Sequence, residues 1–282
     1  MFEADLAGKL PELAAYEDHL TSCVFGALKC LPPDSGLGPV LRAATKHATD
    51  GCLGDLLDGK GIRLQEPEEA QLLFWPRSSE YGEPDLVLIL KGQSESFIVP
   101  IEVKFFSAKH GEEEDDQLAR YYEALATFEG RETFNCEAIG GFSGELLALI
   151  YVTRFRAEQE IEETLRQLDY RGMGEARDRI FHLKWQEVHR VVGELCEAEK
   201  DPYRRTVLCD TKGLLEHKGL TRFTGFSSIP LALSEEDLVH VPAFLECQEA
   251  RRRGFSHFPT LPESLPPEVL RRRPIYLQMG NG

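Results

Sequence analysis

Three short apolar runs constrain this chain most: DLVLIL at 85–90, FIVPIEV at 97–103 and LLALIYV at 146–152. A strand with one wet face alternates apolar and polar residues, whereas a run that is apolar at nearly every position must be covered on both faces. The turn-forming KGQSES joins the first two runs as a hairpin, and the third reads as a further buried strand. Pro100 interrupts the ladder donors of its run, which predicts an edge strand or a bulge there.

Helical periodicity fills the flanks. Leu10, Leu13, Leu20, Val24 and Leu28 fall near one face of a helix over 10–30, and Pro32-Pro33 stops it. Further helices are predicted over 37–49, 117–128, 157–170 and 186–198, with the glycine-rich GCLGDLLDGKG breaking the pattern after the first of these. Ala70–Trp75 and residues 179–185 read as two more strands, and LCDTKGLLEHKG as a helix ended by a glycine. Strands alternating with helices predict an α/β fold: an α/β/α core with a four- or five-stranded mixed sheet and C-terminal elaborations. Residues 1–226 form the expected domain, and the proline-bearing 227–282 an extension wrapping it.

The composition is that of a globular protein able to bury a core, with 42% hydrophobic and 28% charged residues among 282. No apolar run reaches the roughly 18 residues of a membrane helix, and the N-terminus lacks a secretory pattern. Seven cysteines, an odd number without a CxxC, predict small core residues in a reducing cytoplasm rather than a zinc site or disulfide framework. The net charge of −16 weighs against nucleic-acid binding by bulk electrostatics. The charge is uneven: residues 111–163 hold 14 Asp/Glu against 4 Lys/Arg, while Arg251–Arg253 and Arg271–Arg273 are basic triplets.

The chemistry-bearing constellation is Asp85 at the start of one strand and Glu102-Val103-Lys104 at the end of the next. Strand alternation sends Glu102 and Lys104 to one side, so two carboxylates and an ammonium meet at a sheet edge. Asp85 and Glu102, with the Val103 carbonyl, offer hard oxygen ligands to Mg²⁺ or Mn²⁺. A metal there would polarise a phosphate and activate water, with Lys104 orienting the water and offsetting charge. An acidic-x-Lys triplet alone is weak, since about two are expected by chance in a chain this charged. Its plain alternative is an exposed edge strand.

Gln117 and Tyr121 follow at helical i, i+4 spacing on one face. Gly82-x-x-Asp85, Glu102-x-Lys104 and Gln117-x-x-x-Tyr121 together resemble the successive motifs of RecB-type members of the PD-(D/E)xK, restriction-endonuclease-like superfamily. The resemblance implies that fold, metal-dependent DNA cleavage, and a supporting role for Gln117 and Tyr121 at the catalytic Asp85, Glu102 and Lys104. It also implies a glutamate from an upstream helix at the metal site. Glu17 matches, since it lies on the apolar stripe where a carboxylate is costly without a cation; Asp18 has the poorer phase. YEDHLTSCVFGAL and LLEHKGLTRFTGF resemble segments of restriction-like nucleases from bacterial defence clusters. Ser107, Lys109 and His110 are candidate phosphate contacts, while His182 and Trp185 read as packing residues. The expected partner is DNA, bound weakly by a chain acting as an oligomer or within a larger assembly, away from membranes. The alternative is a non-cleaving structural or nucleic-acid-binding subunit.

Overall fold

The computed structural model describes residues 17–47, 51–62, 64, 70–91, 95–105, 116–155 and 157–221. All belong to the first of two units of the chain, 1–223 and 224–282. The expected C-terminal extension, the Arg triplets, the start of the first helix and the loop bearing Ser107, Lys109 and His110 lie outside the described residues.

The described elements run α1 (Glu17–Lys29), α2 (Leu37–Arg42), β1 (Thr45–Lys46), α3 (Leu53–Gly59), β2 (Ala70–Phe74), β3 (Leu86–Lys91) and β4 (Ser96–Val103). They continue α4 (Gln117–Ala126), α5 (Phe128–Glu132), α6 (Glu137–Gly140), β5 (Glu145–Leu146), β6 (Leu149–Thr153), α7 (Glu158–Tyr170), β7 (Ile180–Lys184), α8 (Trp185–Ala198) and α9 (Pro202–His217). One mixed seven-stranded sheet has the order β1-β7-β6-β4-β3-β2, with β5 beside β4. β2, β3 and β4 are antiparallel, while β4, β6 and β7 are parallel. The fold is therefore mixed α/β, with more strands than expected.

Strand alternation divides the core in two. Leu86, Leu88, Val99, Ile101, Val103, Val152 and Leu183 pack with α1, α8 and α9 on one face. Val87, Ile89, Ile98, Leu149, Tyr151 and Ile180 pack with α4 and α7 on the other. Covering both faces is what the uninterrupted apolar runs require. Caps fix the helix starts: Asp116 accepts from the Ala119 amide ahead of α4, and Asp201 from Arg204 ahead of α9. Each such cap is worth about 1 kcal/mol. Among the described residues no helix is long and apolar enough to cross a membrane.

Five expectations are corrected. β4 is internal, not an edge strand, and its register with β3 runs unbroken through Val87–Pro100. The Lys104 amide donates to Val152 on β6, so by alternation the Pro100 nitrogen faces that same side. There β4 changes partner between β5 and β6, with pairs at Ile98–Leu146 and Ile101–Ile150, and a missing donor costs little. The same step splits the LLALIYV run into two strands. The second helix ends at Arg42, because Thr45 and Lys46 pair with β7 instead. The glycine-rich stretch forms α3: Leu53 and Leu57 bury one face, and the Asp55 carboxylate accepts the Cys52 amide at 2.8 Å. Finally, Cys196 and Cys209 form a disulfide between α8 and α9, with Cα atoms 5.5 Å apart. Tertiary packing brings them together, so their sequence spacing carried no such signal.

Candidate active site

The parallel strands β4, β6 and β7 end at one sheet edge, where β3 begins. In open α/β sheets the crevice beyond the carboxyl ends of strands is the usual place for a ligand. Asp85 lies one step beyond the pair Leu86–Ile101, which places it opposite Glu102. Both are buried, at 8% and 2% exposure, and Lys104 is 6% exposed. The plain alternative of an exposed, solvated edge strand therefore fails.

Each group is held. The Val103 amide donates to Asp85 Oδ2 at 2.8 Å, locking the first carboxylate against the strand that carries the second. Lys104 Nζ lies 2.7 Å from Glu102 Oε1 and 3.1 Å from Glu17 Oε1. The other Glu17 oxygen accepts the Phe105 amide at 2.7 Å. Glu17 begins α1, on the opposite layer from α4, and so reaches over the strand end; Asp18 beside it is exposed. From α4, Gln117 Nε2 donates to Glu102 Oε1 at 2.8 Å and to the Tyr121 hydroxyl at 3.0 Å. Tyr121 in turn donates to the Glu83 carbonyl at 2.9 Å, which ties the α4 face to the turn before β3.

Glycine at position 82 has a specific cause. Its φ is +92°, a region that side chains disfavour, and a Cβ there would lie 3.7 Å from the Tyr121 ring and hydroxyl. Two neighbours went unread as site residues. Trp185, fully buried at the start of α8, donates its indole N–H to the Lys104 carbonyl at 3.2 Å. Its need for a partner when buried was the available signal. The Trp75 amide donates to the Asp85 carbonyl at 2.9 Å, from a backbone with φ +47°. His182 stands two strands from Glu102, beyond Tyr151, and bonds Thr153 at 2.8 Å. Burial pulls its pKa down to about 4, so it is a neutral packing residue outside the cluster.

Electrostatics bind these groups together. Burial, then the charge of Asp85, pushes Glu102 up to about 8 against the pull of Lys104. Burial raises Asp85 to about 6, although the Val103 amide opposes it. Burial also works against the Lys104 ammonium, but Glu102, Glu17 and Asp85 outweigh it and hold the pKa above the usual lysine value. Lys104 therefore stays charged, while both carboxyls resist ionising. Tyr121, raised to about 12 by burial and by Glu102, keeps its proton and its donor role.

The donor set fits a divalent cation in one respect. Glu102 Oε2 is fully buried and accepts no hydrogen bond from the described residues, and a buried carboxylate oxygen without a partner is costly. Three carboxylates against one ammonium leave two negative charges when all are ionised. No group of three His, Cys, Asp or Glu residues arranged to hold an ion occurs among the described residues. Glu17 accepts from Lys104 and from the Phe105 amide, and Asp85 and Glu102 face each other across β3 and β4. A pair suffices for Mg²⁺, which is commonly held by one or two carboxylates together with water and substrate phosphate. Compared with protein-family models, curated proteins and solved structures, the chain matches none.

Proposed function

We propose that this chain is a metal-dependent nuclease of the PD-(D/E)xK, restriction-endonuclease-like superfamily, hydrolysing DNA phosphodiester bonds with Mg²⁺ or Mn²⁺. The observation that carries the reading is the buried carboxylate pair beside a buried lysine, with one Glu102 oxygen left without a partner among the described residues. A buried ion cluster is a poor way to stabilise a core, since aliphatic residues of equal volume do as well or better. The cost of keeping three carboxylates and a lysine together thus favours a chemical role over a structural one.

In this reading Asp85 and Glu102 would hold the metal, which on binding polarises the scissile phosphate and acidifies a bound water. Val103 holds Asp85 through its amide, and Gln117 and Tyr121 orient Glu102. Lys104 aligns the attacking water and offsets the charge that builds on the phosphate oxygens. Glu17 keeps the Lys104 ammonium at the strand end. DNA binding by this chain alone is weak, given 48 acidic against 32 basic residues, so the reading includes an oligomer or a larger assembly. Cleavage of a panel of labelled single- and double-stranded DNAs, in Mg²⁺, Mn²⁺ and EDTA, tests the proposal. Metal-dependent cleavage is expected, and binding without cleavage would favour the non-cleaving alternative.

A further inference from the structure

One cluster at the same sheet edge is not used by that mechanism. β6 ends at Thr153 beside the end of β4, in the register Val103–Val152, and the chain continues as Arg154-Phe155. The Arg154 guanidinium lies over the Phe105 ring at 5.5 Å and over the Phe155 ring at 5.3 Å. Phe105 is buried, and its amide is the one held by Glu17. The Arg154 carbonyl accepts from Gln186 Nε2 at 2.9 Å, and the Phe155 carbonyl accepts from the Thr153 hydroxyl at 2.6 Å. A series of flat groups thus leads outward from the carboxylates to Phe155, a residue 67% exposed.

A single exposed phenylalanine means little by itself. This one follows the end of β6, whose Val152 carbonyl accepts the amide of the proposed catalytic Lys104, on a backbone fixed from two sides and next to a cation suited to a phosphate. Bases in a duplex are already stacked on both faces, so only an unpaired base can lie on such a ring; stacking of that kind tolerates any base. We propose that Phe155, with Arg154 beneath it, is a stacking platform for an unpaired base next to the scissile phosphate, making single-stranded DNA the substrate class. This rests on the nuclease reading and narrows it.

The test compares one end-labelled DNA strand, alone and annealed to its complement, under single-turnover conditions in Mg²⁺ with the full chain. The parent protein should cut the free strand faster than the duplex. Phe155→Ala should slow cleavage of the free strand about 5- to 150-fold at subsaturating protein, the range that base–aromatic stacking supplies. Phe155→Leu, which keeps apolar bulk without a π-face, should lose nearly as much, and Phe155→Trp should restore the rate. Thermal unfolding midpoints close to the parent's show that the variants are folded. A parent that cuts DNA but prefers duplex, or a Phe155→Ala variant that cuts the free strand at the parent rate, overturns the platform and leaves the nuclease reading standing. A parent that cuts neither form overturns both.

Discussion

Replacing Glu102 by Gln should stabilise the metal-free protein at pH 8 while abolishing its response to metal. Burial and Asp85 raise the Glu102 pKa to about 8, well above the ordinary carboxylate range. Between about pH 4 and pH 8 the folded state therefore binds more protons than the unfolded state, and stability falls as pH rises. Asp85, raised to about 6, adds to the same slope over the lower part of that window. Lys104, raised above its unfolded value, contributes fully throughout the window and loses its contribution only in alkali. One pKa unit is worth about 1.4 kcal/mol. Lys104 keeps Glu17 at 3.1 Å when Glu102 loses its charge, but the weakened Glu102–Lys104 pair offsets part of the gain, leaving about 1–3 kcal/mol. For a domain of this size that is a rise of about 3–10 °C in unfolding midpoint. The assay is thermal unfolding followed by tryptophan fluorescence, in EDTA and in Mg²⁺, at pH 5 and pH 8. The parent should gain stability from Mg²⁺ at pH 8 and less at pH 5, where protons compete for the carboxylates; Glu102→Gln should gain nothing. If Glu102→Gln is destabilised equally at both pH values in EDTA, Glu102 is a structural partner of Lys104 and the reasoning fails.

Gly82→Ala should cost about 1–3 kcal/mol, because alanine would be forced to a φ near +92° before the Asp85 strand; denaturant unfolding measures it, and a cost near zero counts against the proposed role of the turn. Tyr121→Phe removes the hydroxyl that links Gln117 Nε2 to the Glu83 carbonyl. It should cost about 1 kcal/mol in stability and lower kcat more than it raises KM, which steady-state cleavage kinetics would resolve.

Much of the site was legible because strand alternation is simple arithmetic. Glu102 and Lys104 had to share a face, and the apolar runs had to be covered on both sides. Glu17 was legible as inward-pointing from its place between Leu13 and Leu20, although its partners, Lys104 and the Phe105 amide, depend on how α1 crosses the strand end. Pro100 misled because the local rule about missing donors takes no account of a neighbour that changes from β5 to β6 at that point. α3 was missed because Leu53 and Leu57 bury a single helical turn that glycines obscure. The Cys196–Cys209 pair depends on how α8 packs on α9, and the Trp185 bond to Lys104 joins residues far apart in sequence; no periodicity encodes either.

The central claim is that Asp85, Glu102 and Lys104 form a metal-dependent hydrolytic centre. Its most direct test is single-turnover cleavage of labelled DNA by the purified full chain, comparing the parent with Lys104→Ala in Mg²⁺, Mn²⁺ and EDTA. The account predicts cleavage by the parent that EDTA stops, and a loss of about 10²- to 10⁴-fold in Lys104→Ala without a matching loss of fold. A Lys104→Ala protein that cuts at the parent rate, or cleavage that survives EDTA, would contradict it.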